Sequence, residues 1–332
     1  MHLRELRSAD GRMSAPDRQP QNPPASPVQS EHMFASQTSV SVSEKAATLA
    51  LLADRPLPWN RLAGAIEEAG SALQLLAKVQ TSTEERLFDV GDPTNSLDRF
   101  EQQVQRWARE GITLVTVLDA AYPLNLRTVH DRPPALFIRG ALQDGDERSV
   151  AVVGARKASD KGLQLASRVV RDLLDARHVI VSGLAAGIDT AAHMAALDAG
   201  ARTVAVIGTG LHHSFPKENA ELQERLSRES AVISQFQPDQ GVRKWTFPQR
   251  NAVMSGFARA TVVVEASHTS GARMQARLAL EHGRPVFLMK SLLTHRWAQS
   301  FAERPGAYVV TSGEEIVAHL ARLYSANLAL AG

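Results

Sequence analysis

From Ser149 onward the chain repeats one pattern, and that pattern restricts its fold more than any other feature. A short, wholly apolar run is followed by a small-residue turn and then by an amphipathic stretch. The runs fall at 150–153, 179–181, 204–207, 231–233, 261–264, 285–288 and 308–310, and most of the intervening stretches, such as 162–174 and 186–197, have helical periodicity. Strands this short with no polar alternation need cover on both faces, which helices flanking a parallel sheet provide. Right-handed crossovers then give an α/β class fold, a Rossmann-like, doubly wound, mostly parallel sheet.

Upstream the texture changes. Residues 1–42 hold Pro16, Pro20, Pro23, Pro24 and Pro27 among Gln, Ser and Asn, a composition expected of a disordered tail. Helical spacing over 43–80, with Ser43 as a cap and Gly70 as a stop, predicts a small helical (SAM-like) domain. Residues 81–98 read as a linker, and 99–332 as the Rossmann domain, entered through a helix at 98–110 and strands at 112–118 and 135–138.

Composition excludes several chemistries. With no cysteine there is no disulfide, no thiolate nucleophile and no cysteine-ligated zinc. No apolar run reaches the roughly 18 residues of a membrane span, and the N-terminus has no apolar signal core, so a cytoplasmic location is expected. Net charge is only +2, but residues 141–332 carry 22 Lys and Arg against 18 Asp and Glu, which places the positive surplus in the α/β part.

In such a sheet ligands bind beyond the carboxyl ends of the strands. Four of those ends run into small turns: Gly154-Ala155-Arg156 through Ser159, Ser182-Gly183 through Gly187, Gly208-Thr209-Gly210, and Glu265-Ala266 through Ser270-Gly271. Small residues let backbone N–H groups approach an anion, so four such turns on one rim point to phosphate. Arg156, Lys217, Lys244 and Arg250 supply cations, and Trp245 and Phe247 lie among them; this interleaving suits a single strand whose bases stack. Neither a GxGxxG fingerprint nor a GxxxxGK[ST] loop is present, so no nucleotide cofactor is expected. Asp189 and His193, four apart on one helix, could form an acid–base pair, with a helix cap as the plainer role. His212-His213 and Glu281-His282 lack a third ligand at recognisable spacing, so no metal is assigned, and no nucleophile with a base and oxyanion partner is found.

These residues resemble the DNA-processing protein A (DprA/Smf) family. The resemblance rests on Ser182 through His193, on Phe215-Pro216-Lys217-Glu218-Asn219, on Phe247-Pro248-Gln249-Arg250-Asn251, on Val263-Val264-Glu265-Ala266 with Ser270-Gly271, and on Glu281 through Phe287. Asp119 through Pro123 and Asp131 through Leu136 match its lead-in, so the likeness spans about 99–289. It implies an extended Rossmann fold, a homodimer, single-stranded DNA in a positive pocket, and loading of the RecA recombinase during transformation. Arg156, Lys217 and Lys244 match the family's DNA-contacting cations, and Asn219 and Asn251 fall within its motifs. The chain departs from the family pattern at Ala155, Gln235, Ala252, Gln275 and Met289-Lys290, and no C-terminal winged-helix domain is expected.

The function expected is therefore that of a non-catalytic single-stranded-DNA-binding protein. The site comprises Gly154, Arg156, Ser159, Ser182, Gly183, Gly187, Gly208, Gly210, Lys217, Asn219, Lys244, Phe247, Arg250, Asn251, Ser270 and Gly271. Two alternatives use the same fold: an antitoxin or regulator with a toxin partner in a defence module, and a sensor of a free nucleotide.

Overall fold

A computed structural model describes residues 40–54, 57–84, 93–268 and 270–331. Most of the expected tail (1–39) and the middle of the expected linker (85–92) lie outside the described residues. Four helices come first: α1 (Val42–Asp54), α2 (Trp59–Ala69), α3 (Ala72–Glu84) and α4 (Pro93–Arg109). In α2 the buried residues Leu62, Ala63 and Ile66 lie at helical spacing, and Gly70 at φ 66° ends the helix. The Glu44 carboxylate accepts from the N–H groups of Ala72 (2.6 Å) and Leu73 (3.3 Å), an anion against the positive end of α3.

These helices do not stand apart as a domain. Residues 39–332 form one compact unit. Ala47, Leu51, Leu62 and Ile66 share a core with Val115, Val117 and Leu136 of the sheet region. Lys45 Nζ donates to the Leu114 carbonyl at 2.7 Å and pairs with Asp119 at 3.4 Å. Three short helices bury too little surface alone: α1 packs on α4 and the first strand, and Leu62 and Ile66 of α2 join the same core.

The sheet has nine strands in the order β1-β2-β6-β5-β4-β3-β7-β8-β9. β1 (Ile112–Thr116) and β2 (Ala135–Gly140) are antiparallel, joined through the single-turn α5 (Leu124–Arg127), and β2 pairs antiparallel with β6 (Ala231–Ser234). From β6 to the far edge all neighbours are parallel: β5 (Thr203–Val206), β4 (Val179–Ser182), β3 (Ser149–Val153), β7 (Ala260–Val263), β8 (Val286–Met289) and β9 (Ala307–Val310). The connections are α6 (Asp160–Asp175), α7 (Ile188–Asp198), α8 (Ala220–Glu229), α9 (Thr246–Phe257), α10 (Gly271–Glu281) and α11 (Arg296–Ala302), and α12 (Gly313–Ala331) follows β9. Every residue of β3 to β8 is buried, as their unbroken apolar runs require.

One buried titratable group reports on this core. The His193 ring of α7 is fully enclosed, with Nδ1 2.8 Å from Thr203 Oγ1, which donates to the Ile180 carbonyl at 3.0 Å. Burial pulls its pKa down to about 3, so it folds neutral. An unfolded histidine takes up a proton near pH 6.5, so the unfolded chain binds more protons between about pH 6.5 and 3. Stability conferred by neutral His193 is complete above that window and falls as pH drops through it. Urea unfolding at stepped pH should show wild type losing up to about 1.4 kcal/mol per pH unit relative to His193→Asn. Parallel curves for the two proteins would contradict this.

Candidate nucleic-acid interface

Three successive crossovers carry the chain from β3 outward through β4 and β5 to β6, and then α9 brings it back to β7 on the other side of β3. The strand order reverses between β3 and β7, and the loops beyond their carboxyl ends diverge there. A cleft of about 620 Å³ opens at this point. Gly154, Arg156 and Lys157 line it from β3, Phe247, Arg250 and Asn251 from α9, and Glu265, Ser270 and Gly271 from the β7–α10 turn.

The wall of the cleft is fixed by a buried charge. Arg250 is only 6% exposed. Its Nη1 donates to the carbonyl of Gly183, at the end of β4, and to that of Val206, at the end of β5 (2.8 Å), while Nε donates to Asn251 Oδ1 at 3.0 Å. The N–H of the same residue, Gly183, donates to the Asp189 carboxylate (3.2 Å), which also accepts from Ala185 N–H at 3.4 Å. Burial pushes the Asp189 carboxyl up, with the Arg250 charge opposing, and burial likewise lowers Arg250. A Cβ on Gly183 would overlap the guanidinium, so this glycine serves the approach of Arg250. Leu184 next to it holds φ 56°, a strained value for a side-chain-bearing residue, and is locked by complete burial.

Aromatic rings continue the surface. The Arg156 guanidinium lies 5.4 Å above the Phe247 ring, and Phe247 lies 5.5 Å from Phe215, which is 39% exposed. Trp245, 47% exposed, packs edge-on against Phe236 at 5.7 Å. A smaller pocket of about 90 Å³ adjoins the cleft, sharing Arg156, Phe247 and Arg250 and adding Gly183, Gly208 and Phe215. Lys217 sits on a 3-10 turn (Lys217–Asn219) just after Phe215, and α8 begins only at Ala220, not at Lys217. Lys244 precedes Trp245. Among the described residues neither lysine nor Arg156 forms an ion pair.

Several residues expected to meet phosphate are occupied within the fold. Ser182 Oγ donates to the Val152 carbonyl at 2.7 Å, and Asn219 Nδ2 donates to the Leu184 carbonyl and Thr190 Oγ1, both at 2.9 Å. The N–H groups of Gly183 and Gly210 are taken by Asp189 and by the Gln240 carbonyl (2.8 Å). Gly208 is covered by Phe247, 3.0 Å from where its Cβ would be. Gly187, at φ 80°, lets the β4–α7 turn press onto the Ala155 carbonyl. Ser159 caps α6, and its N–H (3.0 Å) and hydroxyl (2.6 Å) both donate to the Glu265 carboxylate, so that helix end already holds an anion. Ser270 caps α10 by accepting from Ala272 N–H at 3.2 Å. Facing open space are Gly154, Arg156, Phe247, Asn251 and Gly271, with one face of Arg250. Lys217 and Lys244 line neither cavity and stand exposed beside Phe215 and Trp245. His295, which also lines the cleft, comes from the segment before α11, and no motif marks it. Asp189 and His193 do not meet: the carboxylate faces backbone N–H groups and the ring faces Thr203.

The family model for DNA recombination-mediator protein A matches residues 113–321. The chain belongs to the DNA recombination-mediator protein A family. Within it, this chain is 40% identical over 205 residues to DNA processing protein DprA of Streptococcus pneumoniae, covering 61% of this chain and 72% of that one. It is 32% identical over 235 residues to DprA of Bacillus subtilis, covering 68% and 78%. The X-ray structure of the Streptococcus pneumoniae protein superimposes with a TM-score of 0.64 at 31% identity, over 84% of this chain and 98% of the other. DNA processing protein A from Helicobacter pylori shares the fold, at a TM-score of 0.56 and 23% identity over 64% and 96%. The recombination-mediator frame thus accounts for the sheet, the switch-point cleft and the loops that wall it.

The Arg250 node makes Gly183 intolerant of a side chain. Gly183→Ala should displace the guanidinium from two strand-end carbonyls and lower stability by about 1–3 kcal/mol in urea unfolding. Gly271→Ala, where a Cβ meets nothing within 4 Å, should stay within about 0.5 kcal/mol of wild type. Equal midpoints for the two variants would contradict the assignment.

Proposed function

We propose that this chain binds single-stranded DNA along the carboxyl edge of its parallel sheet and acts as a recombination mediator, holding the strand and passing it to a RecA-type recombinase during DNA uptake. The observation that carries this reading is the Arg156 guanidinium stacked on Phe247 at the switch-point cleft, with Phe215 beside it. A cation over an aromatic ring offers a phosphate partner and a stacking face at one place, and neither depends on base identity. Exposed Lys217 and Lys244, near in sequence to exposed Phe215 and Trp245, add cations and rings on two further loops. Duplex DNA hides its base faces, so the surface favours a single strand. Family membership supports mediation, and the Helicobacter pylori relative is known by its single-stranded DNA binding mode.

The work is done by binding. The Ser182 hydroxyl is buried in a backbone hydrogen bond, and Asp189 and His193 serve the fold separately. No helix of the described residues is long and apolar enough to cross a membrane, in keeping with a partner reached in solution. In this reading a homodimer and a recombinase contact are the means of displaying the held strand.

Fluorescence anisotropy with a labelled oligonucleotide and its duplex, at several salt concentrations, tests this. The single strand should bind more tightly than the duplex, and Lys217→Ala should weaken every sequence alike while reducing the salt slope by about 0.7. Phe247→Ala should cost about 1–3 kcal/mol of binding, the worth of one stacked base. Equal affinity for strand and duplex, or an unchanged slope in Lys217→Ala, would sink the reading.

A further inference from the structure

Away from the cleft, three metal-ligating side chains converge that no sequence spacing connects. His130 and Asp131 lie in the loop between α5 and β2, and His282 closes the C-terminal end of α10. One potential ligand atom from each lies within 4.8 Å of the others. The His130 and His282 rings are 5.5 Å apart at 75°. The His282 side chain is wholly buried, and its Nε2 approaches Asp131 Oδ1 at 2.8 Å. Neither of those two atoms has a hydrogen bond of usable geometry.

The other ring nitrogen explains the mismatch. His282 Nδ1 lies 2.7 Å from Ser255 Oγ, and that hydroxyl donates to the Ala252 carbonyl at 3.2 Å. When the hydroxyl proton lies on that carbonyl, Oγ accepts from Nδ1–H and the Nε2 lone pair is left for a ligand on the side of the carboxylate. In that tautomer the buried Nε2 and the part-exposed Asp131 carboxylate are two acceptors 2.8 Å apart, a pair that a shared cation satisfies. We propose that His130, Asp131 and His282 bind a divalent transition-metal ion, zinc foremost, with Ser255 as the positioning residue for His282. Two imidazoles and one carboxylate suit zinc and leave a fourth position open. The opening is at hand, because Asp131 also lines a cavity of about 660 Å³ between α2 and α9, and His130 is exposed. Bound there, the ion would tie the loop ahead of β2 to the end of α10. The proposal is independent of the DNA reading.

The test uses the full chain after dialysis against EDTA. Titration calorimetry with zinc chloride should show one ion per chain at about micromolar affinity or tighter, and zinc should raise the unfolding midpoint as any native-state ligand does. Cobalt(II) should give the visible bands of a four-coordinate nitrogen–oxygen site. His130→Ala, at an exposed position, should fold as wild type and lose at least about tenfold in zinc affinity. Ser255→Ala leaves all three ligands in place and should lose about 10–100-fold. Zinc binding unaltered in His130→Ala, or no binding at all to wild type, overturns the site. So does a midpoint that responds to pH alone and not to zinc, which would mark an imidazolium–carboxylate pair instead.

Discussion

The Arg250 guanidinium, almost wholly buried, joins the carbonyl ends of β4 and β5. Isolated, such a charge would be costly to bury, and it is tolerated because both strand ends and Asn251 accept its protons while Asp189 lies within its field. Gly183 carries the arrangement, its C=O turned to the guanidinium and its N–H to the Asp189 carboxylate. Polarity thus runs across one residue, through the two peptide groups that flank it, from a helix-borne anion to a helix-borne cation. The first turn of α7 and the middle of α9 are thereby pinned to the same strand end. Phe247 sits three residues before Arg250 on α9, so the ring that faces the cleft takes its position from the buried charge behind it.

The rim's own carboxylates decide what kind of ligand it can hold. Helix N-termini beyond parallel strands ordinarily attract phosphate through free N–H groups. Here Glu265 occupies the start of α6, and Asp189 occupies the N–H groups of Gly183 and Ala185. A mononucleotide cradled on backbone amides, as in dinucleotide-binding relatives of this architecture, finds those amides spent. What remains outward are side chains with long reach, Arg156, Lys157, Lys217 and Lys244, and the exposed rings among them. Long cations and aromatic faces suit an extended, irregular polyanion, because each can follow a different backbone conformation.

The strands were legible because burial on both faces leaves uninterrupted apolar runs, six of them in β3 to β8, while the edge strand β9 keeps an apolar run although it is only partly buried. The place of Arg156 at the rim was legible as well, since small turns after strands locate it, whereas Lys217 and Lys244 line neither cavity. What each small residue does there was not. Glycine allows close approach, yet sequence cannot say whether the visitor is a phosphate or, as at Gly183, an arginine 67 residues farther along the chain. The helical segment was misjudged for a related reason: its spacing showed apolar faces, but their cover, Val115 and Leu136, lies beyond an apparent linker. His130, Asp131 and His282 escaped for want of any spacing signal, because the loop and the end of α10 meet only in three dimensions.

Counting charges constrains how the proposed DNA site must work. Each phosphate neutralised on a single strand contributes about 0.7 to the salt slope, so Arg156, Lys217 and Lys244 together account for a slope near about −2. That is shallow beside proteins making six to ten phosphate contacts, whose affinity collapses over a modest rise in salt. If the strand stays held at physiological ionic strength, most of the free energy must come from stacking on Phe247, Phe215 and Trp245, which salt barely screens, or from two copies engaging one strand, where the second contact is made at high effective concentration. A recombination mediator has to release its strand to another protein. Many shallow, sequence-indifferent contacts serve that end better than a few deep ones, because they can be surrendered one nucleotide at a time.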